Sequence, residues 1–382
     1  MTPQRGRAAV AAMLGAVLGL LAGPAAMAGG SIIRLATGHS VPFQRMIDDL
    51  AGADVVLVGE RHDDHAQHWV QNQVLTGLRG RGPVAVGMEA FPSGRDRALD
   101  DWRRGRIPSW PRFLVSTDWF GFWGIAPDLY RPILETVRRH RLPLAGLNVP
   151  RAWIRRIAGK GLDGLEPAQR ERIGPVAEPA EAYRKSLRQS LAEHAGERSA
   201  AHFIAAQTAW DAAMAGALLD LRAAHPQAVA VGLAGSGHIR GGYGIPHQLA
   251  SRSPDLEIRT VLPYDPDEDR PAADAADYAW AVAPERAADP VRIGARLGEP
   301  GQGPGVAVAG VEEGAAAARA GLEAGDRVLA VDGARTANAT ELIYRIRQHR
   351  WGGCLRLRIR RDGAERILRL ALDRPAATRE GS

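Results

Sequence analysis

The sequence predicts an α/β fold, a mostly parallel sheet with helices on both faces, followed by a small β-sandwich with two helices. Three observations predict it. From about residue 54 to 262, short aliphatic runs alternate with amphipathic stretches. The runs stop at Gly and give way to ionisable residues, as strands of open parallel sheets do where they reach a site. Beyond Pro284 the rhythm changes to strands divided by Asp-Gly turns.

The chain has 382 residues, 45% of them apolar, which is enough for more than one core. Arg5 and Arg7 precede an apolar run from Ala8 to about Leu21 and small residues ending Ala26-Met27-Ala28. That pattern is a secretory signal peptide over 1–28, with an apolar run too short for a membrane span. Cys354 is the only cysteine, so no intrachain disulfide forms and no cysteine at the cleavage site carries a lipid. The expectation is a secreted protein, periplasmic in a bacterium, and not a lipoprotein. The net charge of +6 comes from Arg scattered among acids. No nucleic acid is expected as a partner, whereas an anionic ligand fits.

After the leader, 31–36 reads as a short strand and 43–50 as a helix. The run from Asp54 to Val58 is a buried strand that breaks at Gly59-Glu60-Arg61-His62. Asp63 or Asp64 caps the next helix, whose apolar face includes Val70, Val74 and Leu78. His65 and His68 read as solvated residues of its first turn. A second strand, 84–88, delivers Glu89, and a helix from Ser93 follows. Trp102, Trp110, Trp119 and Trp123 then crowd a segment interrupted by Pro and Gly, either a wall for a flat ligand or ordinary loop packing. Helix 127–141 leads to a third strand, 142–147, ending in Asn148. Helices at 178–195 and 199–224 precede a fourth strand, 228–233, which ends Gly235-Ser236-Gly237-His238. The last strands are 258–262 and 278–282.

Four strand ends thus bring Glu60, His62, Glu89, Asn148 and His238 to one rim. Two imidazoles and two carboxylates suit a divalent transition metal ion. His62 and His238 are then ligands, Glu89 or Glu60 is the third, and the remaining Glu is a general base. A haem reading uses Tyr243, in the glycine-rich loop after His238, as iron ligand, with Arg or His holding propionates. A third reading has these groups merely pairing with one another, or with Arg61 and Arg95, to fasten the rim. No Cys-x-x-Cys-His occurs, which excludes covalent haem attachment. Gly59, Gly235 and Gly237 let the backbone turn off the strand and let a ligand come close.

Val-Gly-Glu-Arg-His-Asp at 58–63, Gly87-Met88-Glu89, Leu147-Asn148-Val149-Pro150-Arg151, Gln207 with Trp210-Asp211, and Gly235-Ser236-Gly237-His238 with Gly244-Ile245-Pro246 occur in that order. Together they resemble the ChaN family of the Tiki, TraB and erythromycin-esterase-like superfamily, over residues 31–284. The resemblance implies haem or iron-ligand binding linked to iron acquisition at the bacterial envelope, with Tyr243, His62, His238, Asn148 and Arg151 near the cofactor. A homodimer is compatible with it. Tiki-type relatives imply instead a metal-dependent peptidase, matched here by His62, His238 and Glu89. The chain departs from the usual ChaN pattern in lacking a lipid-bearing cysteine.

Residues 290–374 read as strand 305–311, helix 315–320, a hairpin turn at Asp332-Gly333, helix 340–348 with Leu342, Ile343 and Ile346 inward, and strands paired around Asp362-Gly363. With Ala-Gly-Leu-x-x-Gly-Asp at 320–326, this resembles a PDZ domain of the HtrA-protease type. The resemblance implies a carboxyl-terminal or extended peptide added as a strand. Arg292-Ile293-Gly294-Ala295 takes the place of the carboxylate loop, and Leu342 and Ile346 face the groove. A purely structural docking domain is the alternative.

Overall fold

The computed structural model describes residues 30–194, 200–299 and 303–374. The expected signal peptide lies outside the described residues. The chain opens with a hairpin, Ile32–Arg34 (β1) and His39–Val41 (β2), and helix Phe43–Leu50 (α1). Val55–Glu60 (β3), His65–Arg79 (α2) and Val84–Pro92 (β4) follow. The tryptophan-rich segment forms three short helices, Asp96–Arg103 (α3), Trp110–Ser116 (α4) and Trp119–Phe122 (α5). Next come Pro127–His140 (α6), Leu144–Asn148 (β5), Arg151–Lys160 (α7), Pro167–Ile173 (α8), Glu181–His194 (α9) and Ala200–Ala224 (α10). Val229–Gly235 (β6), Ile245–Arg252 (α11), Ile258–Tyr264 (β7) and Tyr278–Ala281 (β8) complete the larger unit.

Its eight strands lie in the order β2-β1-β8-β7-β3-β6-β4-β5. All pairings from β8 to β5 are parallel, and only β1 and β2 run antiparallel at one edge. Every residue of β3 and β4 is buried, as strands covered on both faces must be. Val56, Val58 and Val86 pack under α2 and α6 on one face, while Val55, Leu57 and Ala230 pack under α10 on the other. β3 and β6 are central neighbours, with Glu60 opposite Gly235 in the ladder. The β4–β5 register slips between Met88 and Pro92, and that slip spans Glu89.

The four tryptophans resolve as packing: Trp102, Trp110, Trp119 and Trp123 are all at most 4% exposed. Helices α7 and α8 are additions to the sequence reading. Each buries only one or two apolar side chains, Ile154 and Ile157 in the first and Ile173 in the second, too few for a periodic signature. Among the described residues no helix is long and apolar enough to cross a membrane.

The smaller unit contains Ala295–Leu297 (β9), Val306–Val311 (β10), Ala316–Arg319 (α12), Arg327–Val331 (β11), Ala334–Arg335 (β12), Ala339–Arg347 (α13), Cys354–Arg361 (β13) and Ala364–Ala371 (β14). Its sheet runs β14-β13-β11-β10-β9, with β12 paired to β11. Asp332-Gly333 and Asp362-Gly363 adopt left-handed φ values of 46°, 83°, 51° and 81°. Two successive positive φ angles between directly paired strands are the two-residue hairpin that Asp-Gly favours. The connection between the units is strapped beside the start of α2: His65 N donates to Glu285 O and Ala287 N to Asp63 O, each at 2.8 Å.

Candidate functional site

The end of β3 turns Glu60 inward, where it is only 4% exposed. Its carboxylate lies 2.7 Å from His62 Nδ1 and 2.6 Å from His68 Nδ1, and it accepts from the Tyr130 hydroxyl at 3.0 Å. Burial pushes the carboxyl up, but the His68 charge and the hydrogen bonds from both imidazoles outweigh it and hold the pKa at about 2. A carboxylate can only accept, so Nδ1 of His62 carries a proton and Nε2 is its outward nitrogen. Glu60 therefore stands behind His62 as its anchor, with Tyr130 on the same oxygen and the His68 ring close to the other. Burial and then the Glu60 charge push the Tyr130 phenol well above its ordinary value, which keeps it a donor.

The Glu60 carboxylate also makes the fold acid-sensitive. Its folded pKa lies below the ordinary 4.5, so its contribution is complete above that value and is lost as the pH falls towards about 2. Urea unfolding of the protein should lose roughly 3 kcal/mol over this window. Glu60→Gln should flatten that slope; an unchanged slope would assign the acid sensitivity elsewhere.

His238 is braced in the same way from the other strand. Its Nδ1 is 2.6 Å from Asp211 Oδ1 on α10, and Asp211 Oδ2 accepts from the Tyr183 hydroxyl of α9 at 2.8 Å. Burial alone lowers the His238 pKa, but the Asp211 charge and then that of Glu89 lift it to about 9. The Nε2 atoms of His62 and His238 both point to Glu89 Oε1, at 3.9 and 3.7 Å. Glu89 Oε2 accepts from Gly235 N at 2.7 Å. Four-coordinate ions with bonds of about 2.1 Å place their donors roughly 3.4 Å apart. The two histidine–glutamate separations are a few tenths of an ångström wider, and among the described residues no group of three or more His, Cys, Asp or Glu is arranged to hold a metal ion as it stands.

Gly59 and Gly235 are needed for close approach rather than for an unusual φ. A Cβ on Gly59 would lie 2.6 Å from Ser236 Oγ, and one on Gly235 would lie 3.0 Å from His62 Cε1 and 3.6 Å from Glu89 Oε2. Gly235→Ala should displace the His62 ring and weaken ligand binding about tenfold, the scale on which groups behind a metal ligand act. Thermal unfolding should change little; a large loss of stability would show that the methyl is not absorbed by the ring.

Asn148 is fully buried: its amide nitrogen donates to Glu89 O at 2.9 Å, and its oxygen accepts from Val149 N and Trp210 Nε1 at 2.8 and 2.7 Å. It ties β5 to β4 and α10. Arg151 is exposed at the start of α7, donates to Trp123 O at 3.1 Å and stands over the Trp123 ring, which meets His62 edge-on at 4.8 Å. The Tyr243 ring stacks at 6.1 Å on Tyr183, the residue that donates to the Asp211 brace of His238. His68 corrects the sequence reading: it is 2% exposed, not solvated. Tyr130, Tyr183 and Asp211 are further supports that sequence reasoning missed.

In the smaller unit, Ile293, Gly294, Leu342 and Ile346 line one cavity of about 280 Å³, together with Arg292, Glu312 and Arg347. Gly294 has φ +74°, and any Cβ there would collide with Ala315.

The model of the family described as haem-binding uptake, Tiki superfamily, ChaN matches residues 46–249. The model of the PDZ domain matches 268–372, a span whose first part supplies β8 to the larger sheet. Among solved structures, ChaN of Campylobacter jejuni with cofacially bound haem is 20% identical, with 67% of this chain and 97% of that one covered and a TM-score of 0.54. The HtrA-type protease AlgW with a decapeptide is 23% identical over 23% of this chain and 30% of that one, TM-score 0.21. The serine endoprotease from Yersinia pestis is 22% identical over 21% and 28%, TM-score 0.19. The chain thus spans about a third of the length of these proteases. No curated protein matches it.

Proposed function

This chain belongs to the haem-binding uptake ChaN family of the Tiki superfamily and carries a PDZ domain, and from that premise we propose that it binds haem or a related iron complex at the His62 rim in the service of iron acquisition. The observation that carries the reading is the setting of His62. Its ring is 36% exposed, its Nδ1 is fixed by Glu60, and it is backed by the buried Trp123, over which the exposed Arg151 guanidinium stands. A nitrogen donor and a cation for a propionate are groups an iron porphyrin uses. Bound haem would supply an iron centre; the chain supplies a fixed imidazole and a charge partner. Tyr243 offers a phenolate alternative, which Tyr243→Phe tests.

Titrating the purified protein with haem should give a saturable shift of the visible bands. Its absence removes this reading. The signal peptide expected over 1–28 favours export to the periplasm, checked by the mass of the exported chain. The PDZ groove is read as taking a peptide by its terminal carboxylate.

The matching braces behind His62 and His238, both aimed at Glu89, favour a second reading, a metal-dependent peptidase. The trio needs to close only slightly around a divalent ion, with Glu89 free on one oxygen. Peptide cleavage by zinc-, manganese- or cobalt-loaded protein that disappears in His238→Ala would establish it, and inactivity with all three would remove it.

A further inference from the structure

Helix α13 has two faces with different neighbours. On one, Leu342, Ile346 and Arg347 border the peptide groove opposite Ile293 and Gly294. The other packs against α4 and α5 of the larger unit, where Tyr344 meets the apolar core. Arg347 belongs to both faces. Its Nη1 donates to Gly124 O at 2.7 Å, and its guanidinium lies 4.7 Å above the Phe120 ring. Gly124 closes the turn after α5 at φ 79°, and the amides of Trp123 and Gly124 both donate to Trp119 O, at 2.7 and 3.0 Å. Trp123, in that turn, is the ring set edge-on to His62.

The same end of the groove holds Arg292, and burial and then this neighbouring charge push the Arg347 guanidinium down from its ordinary value. Two like charges share a cavity in which Glu312 is the acid among the lining residues. Such an end is completed by an anion, and a peptide's terminal carboxylate is one.

We propose that Arg347 is a positioning residue shared by two sites: it turns to the terminal carboxylate of a peptide in the groove, loosens its hold on Gly124, and so changes the affinity of the His62 rim for its ligand. This rests on the reading of the groove as a peptide site. The strap between the units holds the smaller one beside the loop that carries His62, so a rearrangement at α13 acts against a fixed anchor. By linkage the effect is reciprocal: a ligand at His62 changes peptide affinity by the same factor.

Labelled octapeptides ending in Ala, Val or Leu, each as free acid and as carboxyl-terminal amide, are titrated into the full chain by fluorescence anisotropy. Hydrogen–deuterium exchange of residues 119–125 is read with and without peptide, and haem affinity is measured in both states. The free acid should raise exchange in 119–125 and shift haem affinity by roughly fivefold or more, and the amide should do neither. Arg347→Gln should still take up the free acid, more weakly, but lose both responses. A bound free acid that leaves 119–125 unchanged overturns the proposal and spares the peptide reading. Failure of every free acid to bind overturns both.

Discussion

Replacing His62 by alanine is expected to weaken haem binding by more than about a hundredfold, as read from the visible titration of the full-length protein. Groups one step removed from a bound metal typically change affinity 10–100-fold, and the imidazole itself should exceed them. The scale follows from its setting. Glu60, itself set by Tyr130 and the neighbouring His68, holds the His62 ring at one nitrogen, so the other is presented without a search over rotamers, and Ala removes donor and preorganisation together. His238 is 12% exposed against 36% for His62, so His238→Ala should have the smaller effect on a bulky ligand. If the order reverses, the ligand enters beside His238 and the porphyrin reading of His62 fails.

The second large effect lies in the PDZ unit. Asp326 is 1% exposed, and its two oxygens accept from Nε and Nη2 of Arg361, both at 2.7 Å, and from Glu323 N at 2.9 Å. Removing Asp326 leaves the Glu323 amide without its acceptor and Arg361 with only Glu323 Oε1 and Gly321 O, at 2.6 and 2.7 Å, a loss of about 2 kcal/mol. Asp326→Ala should therefore lower the unfolding temperature of this unit by roughly 8 °C or more in calorimetry of the full chain, at about 4–8 °C per kcal/mol for a small domain. Burial raises the Asp326 pKa, but the hydrogen bonds from Arg361 and Glu323 N outweigh it and leave the pKa below the ordinary 3.8. The stabilisation is complete above that value and is lost as the pH falls below it. A variant that melts with the wild type at neutral pH would show that the pair is worth no more than a surface contact.

Strand ends were legible because aliphatic runs cannot stop in water: Val55 to Val58 and Val229 to Leu233 had to be inside, and what followed them had to emerge at one sheet edge. That logic reaches Glu60, His62, Glu89 and His238. It does not reach the supports, whose partners come from distant helices. His68 occupies the first turn of α2, ordinarily a wet position, and is buried because Tyr130 of α6 covers it at 4.2 Å between rings. Asp211 sits in a helix apolar on nearly every side, which gives no periodic face; its role appears only when His238 arrives from β6. Asn148 shows the converse. A polar residue at a strand tip reads as a ligand, and here the neighbouring backbone and Trp210 also bind its amide.

The side-by-side pairing of Glu60 with Gly235 also determines where the gene can change length. Loops between those two positions can be inserted or trimmed where they leave α6, α9 and α10 in place, because the ladder and the braces from those helices set how the two histidines meet. One extra codon between Val55 and Glu60 would swap the alternating faces of the strand and turn Glu60, the anchor of the first imidazole, into the packed layer under α10. Natural length variants of this chain should therefore cluster in its connections and spare β3 and β6.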